Sequence, residues 1–215
     1  MPRRKQTPPQ HGRRRSARQR KARYLVVAGG AVTEKQYFAY LADLYDVVID
    51  YRQKNLAPSQ LAKMAVDIVA KQGTNTGVDA YQQVWVVVDV DDFHDLAQAE
   101  RVLRSEPQTK LIVSNPCFEV WLLSHLERVP CSVMRTKDVE KRAKAKGLTD
   151  GSGSKQIVIS ALANKLDAAV DNVTRGNGVG NQEGAHPRWD ASMAPWTDMP
   201  QVVAYLDEHH QRGER

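Results

Sequence analysis

Three aspartates, Asp89, Asp91 and Asp92, stand at the end of the apolar run Val84-Trp-Val-Val-Val88. Such a run suits a strand buried on both faces, and in open α/β sheets ligands bind beyond the carboxyl ends of the strands. Alternation along an extended chain turns Asp89 and Asp91 to one side, where two carboxylates suit a hard cation such as Mg²⁺. The same residues also read as an acidic turn capping a helix that starts near His94. A second segment, Ser114-Asn-Pro-Cys-Phe-Glu-Val-Trp-Leu-Leu-Ser-His125, follows the next apolar run. Asn115 is expected to cap a helix whose first position is Pro116. Glu119 in that first turn has two readings: an anion favoured by the helix dipole, or a ligand beside the Asp89 cluster. His125, at helical spacing from Phe118, Trp121 and Leu122, reads as a packed histidine.

The elements that must position these groups alternate along the chain. Tyr24–Ala28 reads as a strand followed by Gly29-Gly30, and Thr33-Glu-Lys-Gln36 as a capping box, with Thr33 as N-cap and Gln36 at N3. Lys35 in that turn reads either as a phosphate contact or as a plain surface lysine. Val47–Tyr51 is the next strand, and Pro58 opens a helix reaching about Lys71. Val84–Val88, a helix near His94–Arg104 and the strand Lys110–Val113 follow. This order predicts an α/β fold, a mostly parallel sheet with helices on both faces, over residues 24–128. Residues 129–215 are expected to form a helical extension packed on that core. Within it, Lys137–Lys146 reads as a basic helix, Ser154–Thr174 as a single helix and Arg175–Asp190 as a Gly-rich loop. His186, Arg188 and Trp189 on that loop are candidates for stacking on a base. A closing helix is expected within Trp196–His210.

The formal net charge of +6 is unevenly placed. Residues 1–23 hold ten basic side chains and no acid, which leaves 21 Lys and Arg against 25 Asp and Glu elsewhere, a net of −4. With Pro8 and Pro9 and few apolar residues, this arm is expected to be disordered alone. Arg13, Arg14, Arg15, Arg18, Arg20, Lys21 and Arg23 are its candidate nucleic-acid contacts. Phosphates held this way give affinity without sequence specificity, and the affinity falls steeply with salt. A solubilising extension is the alternative. No window approaches a membrane span and no signal-peptide core is evident, so a cytoplasmic protein with no membrane partner is expected. Cys117 and Cys131 are too few for a disulfide framework.

Taken in order, Val26–Phe38, Val84–Asp92 and Ser114–His125 resemble the RloB family, bacterial phage-defence and restriction-linked proteins related to Toprim-type nucleases. The basic arm and the segment Ala194-Pro-Trp-Thr-Asp-Met-Pro200 are similar to the family as well. The resemblance implies a Toprim-like sheet, with Mg²⁺ or Mn²⁺ held by Asp89, Asp91 and Asp92. It further implies phosphodiester cleavage of DNA or tRNA in which Glu34, Asp89, Asp91 and Glu119 take part, and an ATPase partner encoded nearby. One departure matters. The family pattern Glu-Gly-Glu-x-Thr-Glu stands here as Gly29-Gly30-Ala31-Val32-Thr33-Glu34. The first glutamate corresponds to the essential acid of Toprim sites, and Gly29 carries no carboxylate to replace it. The alternative is therefore a protein of the same fold that binds nucleic acid or the ATPase without cutting. A phosphate-binding α/β protein outside defence rests only on Gly29-Gly30 before a helix.

Overall fold

The run from Val84 to Val88 is a fully buried strand and forms the middle of a five-stranded sheet. The structure is a computed structural model that describes residues 20–73, 80–90, 93–133, 135–151, 153, 155–177 and 186–213. Its first part runs β1 (Arg23–Ala28), α1 (Thr33–Leu44), β2 (Val48–Gln53), α2 (Pro58–Gly73), β3 (Gln83–Asp89), α3 (Leu96–Leu103) and β4 (Thr109–Asn115). Parallel strands need long crossovers, and the three helices supply them. The strand order is β2-β1-β3-β4, all parallel, in the α/β class expected from the alternation of elements.

Period-two alternation divides the strand residues between two cores. Tyr24, Val26, Ala28, Trp85 and Val87 face α1 and the later helices. Leu25, Val27, Val84, Val86 and Val88 face α2 and α3 through Leu61, Ala65, Leu96 and Leu103. β2 is an edge strand and is only half covered. Trp85 and Trp121 are almost wholly buried on the first face, where truncation of either to Ala would cost about 3–5 kcal/mol.

The remainder comprises α4 (Glu119–Ser124), α5 (Thr136–Ala145), the hairpin strands β5 (Thr149–Asp150) and β6 (Gln156–Ile157), α6 (Ile159–Leu162) and α7 (Leu166–Gly176). A short 3-10 turn (Ala191–Met193), β7 (Trp196–Thr197) and α8 (Met199–His209) complete it. Val139, Leu148, Leu162, Val173, Val202 and Leu206 from this part share one core with Tyr24 and Trp85. β7 pairs antiparallel with β4, so the sheet has one strand more than the sequence indicated.

Three local expectations are corrected. Ser154–Thr174 is not one helix: Gln156–Ile157 pairs with Thr149–Asp150, and Asn164, at φ 59°, turns the chain between α6 and α7. Asparagine tolerates that left-handed conformation, which ends a helix its apolar spacing would otherwise continue. Asn115 does not cap a helix. It ends β4, and its Nδ2 donates to the carbonyls of Arg188 (3.1 Å) and Asp190 (2.7 Å), while α4 begins four residues on. Thr33 and Gln36 make no capping box. The Thr33 hydroxyl donates to the Lys155 carbonyl (3.0 Å), and Gln36 Oε1 accepts from the Ile157 amide (2.7 Å). Both side chains are spent on docking the β5–β6 hairpin against α1.

Candidate active site

The chain leaves β1 toward β2, then returns across it to β3, so the strand order reverses between β1 and β3. Their carboxyl ends frame the crevice where α/β sheets bind ligands. A cavity of about 470 Å³ opens there, lined by Gly29, Gly30, Glu34, Asp89, Glu119 and Lys155 among others. Three of the acids picked out in the sequence thus converge, although they lie far apart in the chain. Asp89 is the last residue of β3 and continues the register of Trp85 and Val87, which places it on the α1 side. Glu119 opens α4 and is 3 % exposed. Glu34 lies in the first turn of α1, and its carboxylate folds back over Gly30, where a Cβ on residue 30 would land on it.

The turn after β1 is held from β2. Tyr51 donates its hydroxyl to the Gly30 carbonyl (2.7 Å), and Gln53 donates its amide to the Gly29 carbonyl (3.0 Å). At Gly29 a Cβ would meet only the Lys54 carbonyl at 4.0 Å, an ordinary contact, so no steric demand excludes a larger residue there.

The charges are close enough to be felt by their neighbours. Burial pushes the Tyr51 hydroxyl far up its range, and the negative charges of Glu34 and Asp89 push the same way. The Cys117 thiol is raised well above its ordinary value by burial, then by Glu119 and Asp89. At 2 % exposure Cys117 packs in the core, with burial favouring its neutral thiol. Among the described residues, Lys155 is the one cation beside these acids on the cavity lining. Burial pulls its ammonium down, yet the hydrogen bond to Glu140 (2.9 Å) and the charges of Glu119, Glu140 and Glu34 outweigh that, so its pKa is raised and it stays charged. Sequence reasoning missed Lys155 and Glu140 because the first was read inside a helix and the second on a solvated face. The glycines Gly151 and Gly153, both at positive φ, were the available sign of a turn there.

Asp91 and Asp92 lie outside the described residues, as do Arg13, Arg14, Arg15 and Arg18. Arg20 and Lys35 are exposed, and neither lines the cavity. Lys21 pairs with Asp46 (2.6 Å) and Arg23 with Asp50 (2.6 Å). Arg23 begins β1, so it sits at the end of the sheet opposite the acids. Arg188 is occupied structurally: it pairs with Glu100 (3.0 Å) and the buried Asp198 (2.7 Å) and lies over Trp189. His125 is packed, with Nδ1 against the Trp121 carbonyl (3.0 Å) and Nε2 against the Tyr37 hydroxyl (3.2 Å).

Among the described residues no group of three or more His, Cys, Asp or Glu is placed to hold a metal ion. The charged ligating groups on the lining, Glu34, Asp89, Glu119 and Glu140, are carboxylates, which match Mg²⁺ or Mn²⁺; Cys117 lines the cavity too, with its thiol pushed up by burial. Mg²⁺ is commonly held by one or two carboxylates together with water and substrate phosphate, so Asp89 and a neighbour fit that mode.

Among the described residues no helix is long and apolar enough to cross a membrane. No curated protein and no solved structure gives a match to the chain. The model of the RloB-like protein family matches residues 24–206, from within β1 into α8, and includes the residues that line the cavity. The chain belongs to the RloB-like family.

Proposed function

We propose that this chain is a Toprim-like phosphodiesterase of phage defence that cleaves DNA or RNA with Mg²⁺ or Mn²⁺. What carries the proposal is the convergence of Glu34, Asp89 and Glu119 on one cavity at the β1/β3 crevice. Asp89, together with the sequence candidates Asp91 and Asp92, would hold the cation. When bound, the cation polarises a phosphoryl oxygen and lowers the pKa of water. Glu34, folded back over Gly30, stands on the turn where the family's first acid is missing and is the group to move a proton there. Lys155, bonded to Glu140 (2.9 Å), offsets part of the crowded negative charge.

A second function is favoured by one observation: Gly29 and Ala31 stand where the family carries glutamates. On that account the site binds nucleic acid, or an ATPase encoded nearby, without cutting. Incubation of DNA and tRNA with Mn²⁺ and either the unaltered chain or Asp89→Ala separates the two. Cleavage by the first and not the second supports the nuclease. Absence of cleavage by both, with and without the ATPase, removes it in favour of the binding role.

A further inference from the structure

Among the described residues three large apolar side chains are more than a third exposed: Val32 (37 %), Leu56 (37 %) and Phe93 (42 %). All three line the same cavity as Glu34, Asp89 and Glu119. They arrive from separate segments: Val32 from the turn before α1, Leu56 from the link between β2 and α2, and Phe93 from the link between β3 and α3. Single apolar residues scattered over a surface need no explanation. Here every such residue collects at the mouth of one acidic cavity, which marks a binding surface.

We propose that this apolar mouth receives an unstacked base of single-stranded nucleic acid, beside the phosphate taken at the acidic floor. The pocket rests on the nuclease function proposed above and narrows its substrate. The charge balance of the cavity is what selects this occupant. Glu34, Asp89, Glu119 and Glu140 outnumber Lys155, which is itself engaged with Glu140, so the floor repels a polyanion until a cation is bound. With a cation bound the floor takes one phosphate, and further local affinity comes from groups that are not phosphates. A base offers an apolar face that stacks on an aromatic ring whatever its sequence. In a duplex those faces are covered by their neighbours, and only base edges and backbone remain to be touched. A strand already single, or a loop nucleotide, presents its base without the cost of leaving a stack. The volume of about 470 Å³ suits one small ligand group and not a double helix.

The test is anisotropy titration of the full chain with labelled single strands and the matching duplexes, each as DNA and as RNA. Ca²⁺ replaces Mn²⁺ to limit turnover, and the salt is raised so that basic-arm contacts are suppressed. Single strands are expected to bind about tenfold or more tighter than duplexes. Phe93→Ala should lower single-strand affinity about tenfold or more and leave duplex affinity within about twofold. Phe93→Trp should restore it, with added indole fluorescence quenched by the single strand. Because Phe93 is exposed, neither change threatens folding. The DNA and RNA arms identify which backbone the site prefers.

Equal affinity for duplex and single strand, or no effect of Phe93→Ala, overturns the base pocket. If Mn²⁺-dependent cleavage still vanishes with Asp89→Ala in that case, the nuclease survives alone. No binding and no cleavage removes both. Loss of self-association on Phe93→Ala, without any nucleic-acid effect, assigns the mouth to a second copy of the chain and overturns the proposal.

Discussion

Gly30→Ala tests whether the site depends on where the Glu34 carboxylate lies. In the fold that carboxylate occupies the volume a Cβ on residue 30 would fill. The alanine methyl cannot move, whereas the carboxylate is the far end of a flexible side chain and swings out. A displaced rotamer costs about 0.5–1.5 kcal/mol. Gly→Ala at a position free of positive φ gives back about 0.4–1 kcal/mol through the unfolded chain. The two nearly cancel, so global stability should change by less than about 1 kcal/mol. Activity should not be spared. A positioned acid or base contributes about 10²–10⁴-fold, and Gly30→Ala should lose a comparable part of Mn²⁺-dependent cleavage. Glu34→Gln should lose as much, and the double variant little more, because both changes remove one interaction. Denaturant melts paired with single-turnover cleavage would report the two effects separately. A Gly30→Ala chain that melts normally and cleaves within about threefold of the unaltered chain would refute the role given to Glu34.

Three further outcomes are expected. Gly29→Glu should fold normally, since a Cβ there meets only the Lys54 carbonyl at 4.0 Å, and should raise single-turnover Mn²⁺-dependent cleavage by about 10²-fold or more; an unchanged rate would show that the missing family acid is not the proton-transfer group of this site. Burial holds the His125 imidazole down to about 4, below its ordinary 6.5, despite its bonds to backbone carbonyls. The unfolded chain therefore takes the proton first, so stability present above pH 6.5 is lost as pH falls through 4, by about 3 kcal/mol; a His125→Gln chain with the same slope of stability against pH would contradict this. Arg188→Ala leaves the Asp198 carboxylate buried at 2 % side-chain exposure without its cation and should cost about 3–5 kcal/mol in chemical denaturation, whereas a loss under 1 kcal/mol would show that Asp198 is satisfied by its other donors.

The four parallel strands and the first three helices were legible because each carries its own pattern. β3 reads as a buried strand since both its faces are covered and all its residues short of Asp89 are buried. The acid at its end was legible for the same reason: a charged residue directly after such a run has to lie at the rim of the sheet. Glu119 was legible as a first-turn acid, and as a neighbour of Asp89 because the strand before it was expected to end near that cluster. β7 was not legible, because two residues cannot show a period; Trp196 and Thr197 become a strand only through pairing with Asn115 and Ser114. Thr33 and Gln36 have the residue types of a cap, yet their partners are backbone groups of Lys155 and Ile157, more than a hundred residues away.

Local sequence by itself therefore determined the α/β alternation, the buried strand and the identity of its terminal carboxylate, because burial and period are properties of neighbouring residues. Only the tertiary structure decided that Glu34 would lie over Gly30, that Lys155 would enter the acidic cavity from a hairpin, and that Val32, Leu56 and Phe93 would share its mouth. Those placements follow from the order in which the strands pair, β1 beside both β2 and β3. Strand order is a choice among long-range contacts, and the composition of no single segment encodes it.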